Sequence, residues 1–198
     1  MRTFTTWAGT HTCTPAAWAA PTTEEEVAAV VRRARADGKR VKVVGAGHSW
    51  SDAALTDGVM VSLDGLDRVV AIDGQRGLAT VEAGKRLAAF NDALHDAGAA
   101  LPIVGSIAAQ SLGGLLATGT HGSSLRHGNL SSGIVGMRIV DGRGEVVDLT
   151  EGDPRLPGAR VGLGALGIVT RVTLRVDRAF TVAEEMTPMP LAAALERL

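Results

Sequence analysis

The chain has 198 residues, of which 45% are hydrophobic and 21% are charged. This length and composition predict a globular protein with a hydrophobic core, built as one domain or as two small lobes. The formal net charge is −1, so the chain lacks the basic field that binding to nucleic acid or to an anionic membrane needs. A single cysteine, Cys13, excludes an internal disulfide and a cysteine-based metal site.

Targeting and membrane signals are missing from the sequence. The N-terminus has no apolar signal core, and no run of about 18 apolar residues occurs anywhere. We therefore expect a cytoplasmic protein without a transmembrane segment. Nucleic acid is not an expected partner, because the chain has no tyrosine and few aromatic rings on which bases could stack.

Helix and strand signals alternate with glycine-rich turns along the chain. Thr23 and Glu26 have the spacing of a capping box, which predicts a helix that ends at Asp37-Gly38. A second amphipathic helix is predicted at residues 85–97, and the start of a third at 188–198. Strands are predicted at residues 41–44, 59–63, 68–72, 78–82, 134–140, 145–149 and 167–176. The strands are grouped rather than strictly alternating with helices, which indicates an α+β fold.

A glycine-rich turn follows the first of these strands, with the sequence Gly45-Ala46-Gly47-His48-Ser49-Trp50. A Rossmann-type dinucleotide fold would need a third glycine where Trp50 stands, and a helix directly behind the turn. The full G-x-G-x-x-G spacing occurs instead at Gly162, Gly164 and Gly167. A predicted strand follows that motif, so the helix N-terminus that would bind a pyrophosphate is missing. The sequence therefore disfavours a Rossmann domain.

Another arrangement for binding phosphate fits better, because hydroxyl side chains stand beside glycines. Small residues let backbone N–H groups approach a pyrophosphate, and the hydroxyls can add hydrogen bonds. The hydroxyl-bearing residues are Ser49, Ser106, Ser111, Thr118 and Thr120, and the glycines are Gly105, Gly113, Gly114 and Gly119. None of these loops contains the lysine that a free triphosphate would normally need, so a buried diphosphate is the better candidate. The alternative is a plain flexible loop, although the apolar residues Leu112, Leu115 and Leu116 favour a buried segment.

The five histidines offer no recognisable metal site. His121 and His127 lack helical i, i+4 spacing, and no acidic or thiol ligand lies near them. His11 and His95 stand alone, as surface or core histidines commonly do. His48 lies at the tip of the glycine-rich turn, where its imidazole could act as a base, a hydrogen-bond donor or a nucleophile. Taken alone, a histidine in a turn is more often structural.

Together these motifs resemble the PCMH-type FAD-binding domain of the vanillyl-alcohol-oxidase flavoproteins, in particular that of the sugar-lactone and alditol oxidases. In chain order, the motifs are Val43-Val44-Gly45-Ala46-Gly47-His48-Ser49, Val81-Glu82-Ala83-Gly84, Gly105-Ser106-Ile107, Gln110-Ser111, Gly114, Ala117-Thr118-Gly119-Thr120-His121-Gly122 and Gly164-Ala165-Leu166-Gly167-Ile168-Val169. The resemblance implies two α+β lobes, at about residues 1–70 and 71–180, with FAD between them. Residues 181–198 would then begin the connection to a substrate-binding cap domain.

The resemblance also implies roles for individual residues. His48 matches the histidine that bonds covalently to the 8α carbon of the flavin, which tethers the cofactor and tunes its redox behaviour. Residues 43–49 would wrap the pyrophosphate, and the backbone of Ile168 and Val169 would face the adenine. The full set implied to line the FAD groove is Val43, Val44, Gly45, Ala46, Gly47, His48, Ser49, Trp50, Gly105, Ser106, Gln110, Ser111, Gly114, Thr118, Gly119, Thr120, His121, Gly122, Ile168 and Val169.

The implied reaction is oxidation of a CH–OH group of a sugar lactone or alditol by hydride transfer to FAD, with O2 as acceptor and H2O2 as product. Gly105 matches a position near the oxygen-reactive carbon of the flavin, where glycine leaves space for O2; its alternative role is packing alone. The groups that act on the substrate are expected in the cap, so no catalytic residue and no metal ligand is assigned in this chain. The rival interpretation is a stand-alone, non-catalytic flavin module that needs a partner chain. An uncapped face over the flavin predicts self-association.

Overall fold

The computed structural model describes residues 2–197 and shows a mixed helix and strand fold. Its strands are β1 (Phe4–Thr5), β2 (Thr12–Cys13), β3 (Ala17–Ala19), β4 (Val41–Val44), β5 (Val59–Ser62), β6 (Val69–Asp73), β7 (Leu78–Glu82), β8 (Ala99–Ala100), β9 (Ile134–Val140), β10 (Val146–Thr150), β11 (Ile168–Arg175) and β12 (Asp177–Arg178). Its helices are α1 (Glu24–Ala36), α2 (Leu87–Asp96), α3 (Leu112–Ala117), α4 (Leu156–Ala159) and α5 (Leu191–Leu195), with a 3-10 turn at Leu130–Gly133.

The strands form two main sheets. The first is parallel with the order β3-β5-β4, and the second is antiparallel with the order β10-β9-β11-β7-β6. Two short ladders, β1-β2 and β12-β8, lie outside the main sheets, and Arg86 and Ser111 form an isolated bridge. Because β5 is the central strand of the parallel sheet, all four of its residues are buried, and its sequence is continuously apolar up to Ser62.

Helix α1 forms where the capping box predicts it, with one difference in the cap. The Thr23 side chain accepts a hydrogen bond of 3.2 Å from the backbone N–H of Glu26. The Glu26 carboxylate accepts from the backbone N–H and the hydroxyl of Thr22 instead of from Thr23. The helix ends at Ala36, and Gly38 follows with a φ of 63°, a left-handed conformation that glycine adopts without strain.

Two clusters of buried apolar side chains form the core. In the first cluster, Phe90 of α2 and Leu112 of α3 pack with side chains of the antiparallel sheet. In the second, Val27 of α1 packs with the parallel sheet, and the same cluster contains Val140 of β9 and Ile168 of β11. Helix α1 therefore contributes to the contact between the two sheets. No helix within residues 2–197 has the length and apolar character needed to cross a bilayer.

Polar contacts fasten the start of α1 to the antiparallel sheet. The Glu24 carboxylate pairs with Arg138 of β9 at 2.6 Å and accepts a hydrogen bond of 2.6 Å from the Thr170 hydroxyl. The pairing of β11 with β9 shifts register between Val169 and Arg171, so Thr170 lies in a bulge. Bulges redirect side chains, and this one places the Thr170 hydroxyl against α1.

Glu82 is buried beside this contact, at 1% exposure. Burial raises the pKa of the Glu82 carboxyl, but hydrogen bonds from Arg68 and the charges of Arg68 and Arg171 outweigh it and hold the pKa below its usual value. The Arg68 Nη2 to Glu82 Oε1 distance is 2.6 Å. A carboxyl with a lowered pKa stabilises the fold at a pH above its unfolded pKa, which is about 4.3, and loses that contribution as the pH falls through the folded pKa.

The structure differs most from the sequence prediction in the first 20 residues. Strands β1, β2 and β3 were not predicted, because segments of two or three residues carry no readable periodicity. The segment at 105–133 is not a plain flexible loop, since it contains α3 and the 3-10 turn, and Leu112, Leu115 and Leu116 are buried. Helix α5 forms within the predicted tail and buries none of its residues; Leu198 lies outside the described residues.

Candidate cofactor-binding site

A cavity of about 480 Å³ lies where the two sheets, α1 and α3 meet. Both sheets contribute walls: β4 and the turn after it from the parallel sheet, and β9 and β11 from the antiparallel sheet. The remaining walls come from α1, from residues 110–118 and from the loop at 162–167. Segments that are far apart in sequence therefore enclose one space.

Most of the residues predicted to bind a cofactor line this cavity. They are Val43, Val44, Gly45, Ala46, Gly47, His48, Ser49, Gln110, Ser111, Gly114, Thr118, Ile168 and Val169. The cavity lining does not include the other seven, which are Trp50, Gly105, Ser106, Gly119, Thr120, His121 and Gly122. Six of those seven belong to the loops before and after α3, which contact each other: an added Cβ on Gly105 would lie 2.9 Å from Thr120 Cγ2.

A close contact between Gly45 and Ser111 joins the turn after β4 to the start of α3. A Cβ added to Gly45 would lie 1.9 Å from Ser111 Oγ, so only glycine lets the turn after β4 approach the start of α3 this closely. Ser111 is 3% exposed. The backbone N–H of Gly113 donates to the Ala83 carbonyl at 2.7 Å, which ties α3 to the end of β7. These contacts fix the turn and α3 side by side.

His48 lies in the cavity wall, and an aromatic ring stacks on its imidazole. Its imidazole stacks on the indole of Trp7, with 5.3 Å between ring centroids and 25° between planes. The Nδ1 atom of His48 is buried and has no hydrogen-bond partner among the described residues. A buried polar atom without a partner costs free energy, so this nitrogen fits a site that is completed by a bound group.

The hydroxyl of Thr118 is engaged within the protein. It donates to the Gly114 carbonyl at 3.0 Å, although the residue lines the cavity. His121 Nδ1 lies 2.8 Å from the Gly122 carbonyl oxygen, and the side chain is exposed. In this arrangement the Thr118 hydroxyl donates within the protein rather than to a ligand.

Basic side chains exceed acidic ones in the cavity wall. The charged lining residues are Arg35, Lys39, Lys42, Arg160, Asp64 and Asp141. Asp64 is paired with Arg86 at 2.7 Å, and backbone N–H donors of Glu145 and Arg143 lower the pKa of Asp141. The excess of positive charge suits a diphosphate. Lys39 and Lys42 are absent from the predicted set because they lie outside the glycine-rich loops. The signal that could have found them is the group of basic residues at the end of α1 and in β4.

The loop at 162–167 completes the wall without a helix behind it. Gly167 has a φ of 134°, and an added Cβ would lie 2.3 Å from the Val140 carbonyl oxygen, so the loop requires glycine there. It runs directly into β11, which confirms that this G-x-G-x-x-G motif is not of Rossmann type. Within residues 2–197, no group of His, Cys, Asp and Glu side chains is arranged to hold a metal ion.

The sequence matches the model of a family described as "FAD binding domain" over residues 15–150. It is 44% identical over 195 residues to L-gulono-1,4-lactone dehydrogenase of Mycobacterium tuberculosis, covering 98% of this chain and 45% of that protein. It is 43% identical over 185 residues to D-arabinono-1,4-lactone oxidase of Eremothecium gossypii, covering 90% of this chain and 35% of the relative. It is 37% identical over 197 residues to L-gulonolactone oxidase of Bos taurus, covering 98% of this chain and 45% of that protein. The chain thus spans less than half the length of these relatives.

The fold is similar to that of solved structures of alkyldihydroxyacetonephosphate synthase. One superposes with a TM-score of 0.73 at 23% identity, covering 80% of this chain and 31% of that chain. A second gives a TM-score of 0.72 at 24% identity, with the same coverage. At this identity the likeness establishes the fold alone.

Proposed function

Because the chain belongs to the FAD binding domain family, with FAD as its cofactor, we propose that FAD occupies the cavity between the two sheets and bonds covalently to His48. The parallel sheet and the antiparallel sheet then mark the two lobes, at about residues 1–70 and 71–180. Their separation in sequence supports this division: β3 to β5 end at Ser62, and the strands of the antiparallel sheet begin at Val69. Residues 181–198 begin the connection to a cap domain.

The unpartnered Nδ1 of His48 is the observation that carries the covalent part of the proposal. The atom is buried in a residue that lines the cavity, and no protein group uses its hydrogen-bonding capacity among residues 2–197. A nitrogen lone pair without a partner is available to form a bond. A bond to the 8α carbon of the flavin would satisfy this atom and keep the cofactor from dissociating.

The rest of the lining suits the other parts of FAD. The turn at 45–49 and residues 111–118 present backbone and small side chains, which can lie close to a diphosphate. Arg35, Lys39 and Lys42 supply positive charge, and the start of β11 offers the backbone of Ile168 and Val169 to the adenine. Bound FAD supplies a two-electron acceptor; the residues of this chain bind it and exclude water around it.

We propose that the whole enzyme oxidises a CH–OH group of a sugar lactone or an alditol and passes the electrons to O2. The names of the relatives support the substrate class, since all three act on a lactone by name and two are called oxidases. The cap would hold the small-molecule substrate. Gly105 belongs to the same proposal as the position that would leave room for O2; an added Cβ there would lie 2.9 Å from Thr120 Cγ2.

Acid denaturation of the FAD-loaded protein tests the covalent bond. The flavin should stay with the precipitated wild-type chain and fluoresce on a denaturing gel. In His48→Ala the flavin should appear in the supernatant, or the protein should bind none. His95→Ala is the matched control, since His95 is exposed on α2, and it should keep its covalent flavin. Release of all flavin from the wild-type chain would disprove the covalent bond, and a wild-type chain that takes up no FAD would disprove the cofactor site itself.

A further inference from the structure

Trp7 is held in a defined position although its side chain is 62% exposed. Its backbone N–H donates to the Gly47 carbonyl at 2.8 Å, and its indole stacks on His48. The edge of the same indole meets Trp50, with 6.3 Å between centroids and 64° between planes. An indole that is largely exposed buries little area, so hydrophobic burial alone does not explain this placement.

The segment that carries Trp7 is itself held by a hydrogen bond and by packing. Trp7 lies in the connection between β1 and β2, and the backbone N–H of Thr6 donates to the His11 carbonyl at 3.0 Å across that connection. Phe4 packs under the glycine-rich turn, since a Cβ added to Gly47 would lie 3.1 Å from Phe4 Cζ. Gly47 has a φ of 70°, which favours glycine. The N-terminal hairpin therefore forms a platform beneath the turn.

The His48 imidazole needs such a platform. Reactive or ligating histidines are commonly oriented by a hydrogen bond that fixes the ring. Here Nδ1 has no hydrogen-bond partner among residues 2–197. No hydrogen bond at Nδ1 therefore fixes the rotation of the imidazole about χ2. The stack on Trp7 restricts the plane of the imidazole without occupying either nitrogen. The ring is thus oriented while Nδ1 stays free.

We propose that Trp7 is a positioning residue for flavin attachment: it holds the His48 imidazole in the plane from which Nδ1 bonds to the 8α carbon of FAD. This inference rests on the covalent attachment proposed above. In that step one N–C bond forms, the imidazole and the 8α carbon each lose one proton, and two electrons pass to O2, which leaves as H2O2 with those two protons. Trp7 forms no bond to the flavin and takes no electron.

The test is a time course of attachment in the full chain. Protein prepared without flavin is mixed with FAD in air, samples are quenched in acid, and flavin bound to the precipitate is measured. Trp7→Ala and Trp7→Leu should attach flavin about tenfold more slowly, because neither side chain offers an aromatic face. Trp7→Phe restores a ring and should recover most of the rate. Trp18→Ala is the matched control: it also removes an indole, but Trp18 lies on β3, where its ring faces Arg2, and attachment should keep the wild-type rate.

Reversibly bound FAD is measured on the same samples before the quench. Slow attachment with unchanged FAD binding, rescued by Trp7→Phe, supports the inference, as does a pH profile of the rate whose midpoint is unchanged in Trp7→Ala. Attachment at the wild-type rate in Trp7→Ala overturns it and leaves the covalent proposal standing. A loss of rate that matches a loss of FAD binding also overturns it, because Trp7 would then serve binding or folding. If the wild-type chain never attaches flavin, the covalent bond and the role of Trp7 both fail.

Discussion

Gly105 lies beside Thr120, and a Cβ added to it would come within 2.9 Å of the Thr120 methyl carbon. We expect Gly105→Ala to slow the reoxidation of reduced flavin by O2 roughly tenfold, a rise of about 1.4 kcal/mol in the barrier, because the new methyl group narrows the approach. Stopped-flow mixing of reduced protein with air-saturated buffer measures the rate. The close contact with Thr120 requires a control, since the threonine must move to admit the methyl group.

Thr120→Ser provides that control, because it removes the methyl carbon against which the added methyl group at position 105 would press. Slow reoxidation in both Gly105→Ala and Gly105→Ala/Thr120→Ser would assign the effect to the methyl group at position 105. Recovery in the double variant would assign it to a displaced Thr120. Reoxidation at the wild-type rate in both variants would contradict a role for Gly105 in oxygen access.

Individual residues of the candidate site show what the sequence could predict about it. Gly45 and His48 were predictable, because glycines beside a strand end indicate a close backbone approach and a turn. Trp7 and Lys39 were not, since Trp7 meets His48 only through the fold of the N-terminal hairpin, and Lys39 reaches the cavity only through the packing of the segment after α1. The sequence also does not reveal that the Thr118 hydroxyl bonds back to a carbonyl of the helix that it follows.

Helix α1 is fastened at its N-terminus by the Glu24–Arg138 pair. Side-chain exposure is 14% for Glu24 and 34% for Arg138, so water screens this pair only in part. We expect a double-mutant cycle with Glu24→Gln and Arg138→Gln to give a coupling free energy of about 1 to 2 kcal/mol by urea denaturation. The exposed Arg33–Asp37 pair on the same helix, with side chains 81% and 36% exposed, serves as control and should give no more than about 0.5 kcal/mol. Equal couplings would contradict a special role for the first pair.

Prediction succeeded for the elements that carry their own local signal. Helix α1, the β9–β10 hairpin and β11 lie within about two residues of their predicted bounds, because a cap, a turn signal or a long alternating pattern marks each of them. The three short strands β1 to β3 have no such signal. Their pairing depends on partners elsewhere in the chain: β3 joins the parallel sheet only through β5. Local sequence cannot specify such a contact.

At the scale of the whole molecule, apolar side chains stand exposed on the two contacting loops around α3. Val104 is 44%, Ile107 43% and Leu125 94% exposed, and an added Cβ on Gly122 would lie 2.6 Å from the Val104 carbonyl oxygen. Apolar surface of this kind promotes association. The curated relatives are more than twice as long as this chain.

We expect the 198-residue chain to self-associate as its concentration rises, with sedimentation velocity as the measurement. Ile107→Ser together with Leu125→Ser should shift the distribution toward monomer. Val182→Ser is the control, because Val182 is 80% exposed but lies outside the two loops. A chain that stays monomeric at the highest concentration would contradict the prediction, and an equal effect of the control would show that the loops are not the contact.

The cavity between the two sheets has a consequence for the lifetime of the protein in a cell. A group that binds only the folded chain stabilises it, by about 2.7 kcal/mol at a hundredfold excess over its dissociation constant. A covalent bond makes that gain independent of the free concentration. Newly made chains without cofactor would open more often and be degraded first. The supply of FAD during synthesis would then set how much of the protein accumulates, because chains loaded once would survive a later shortage.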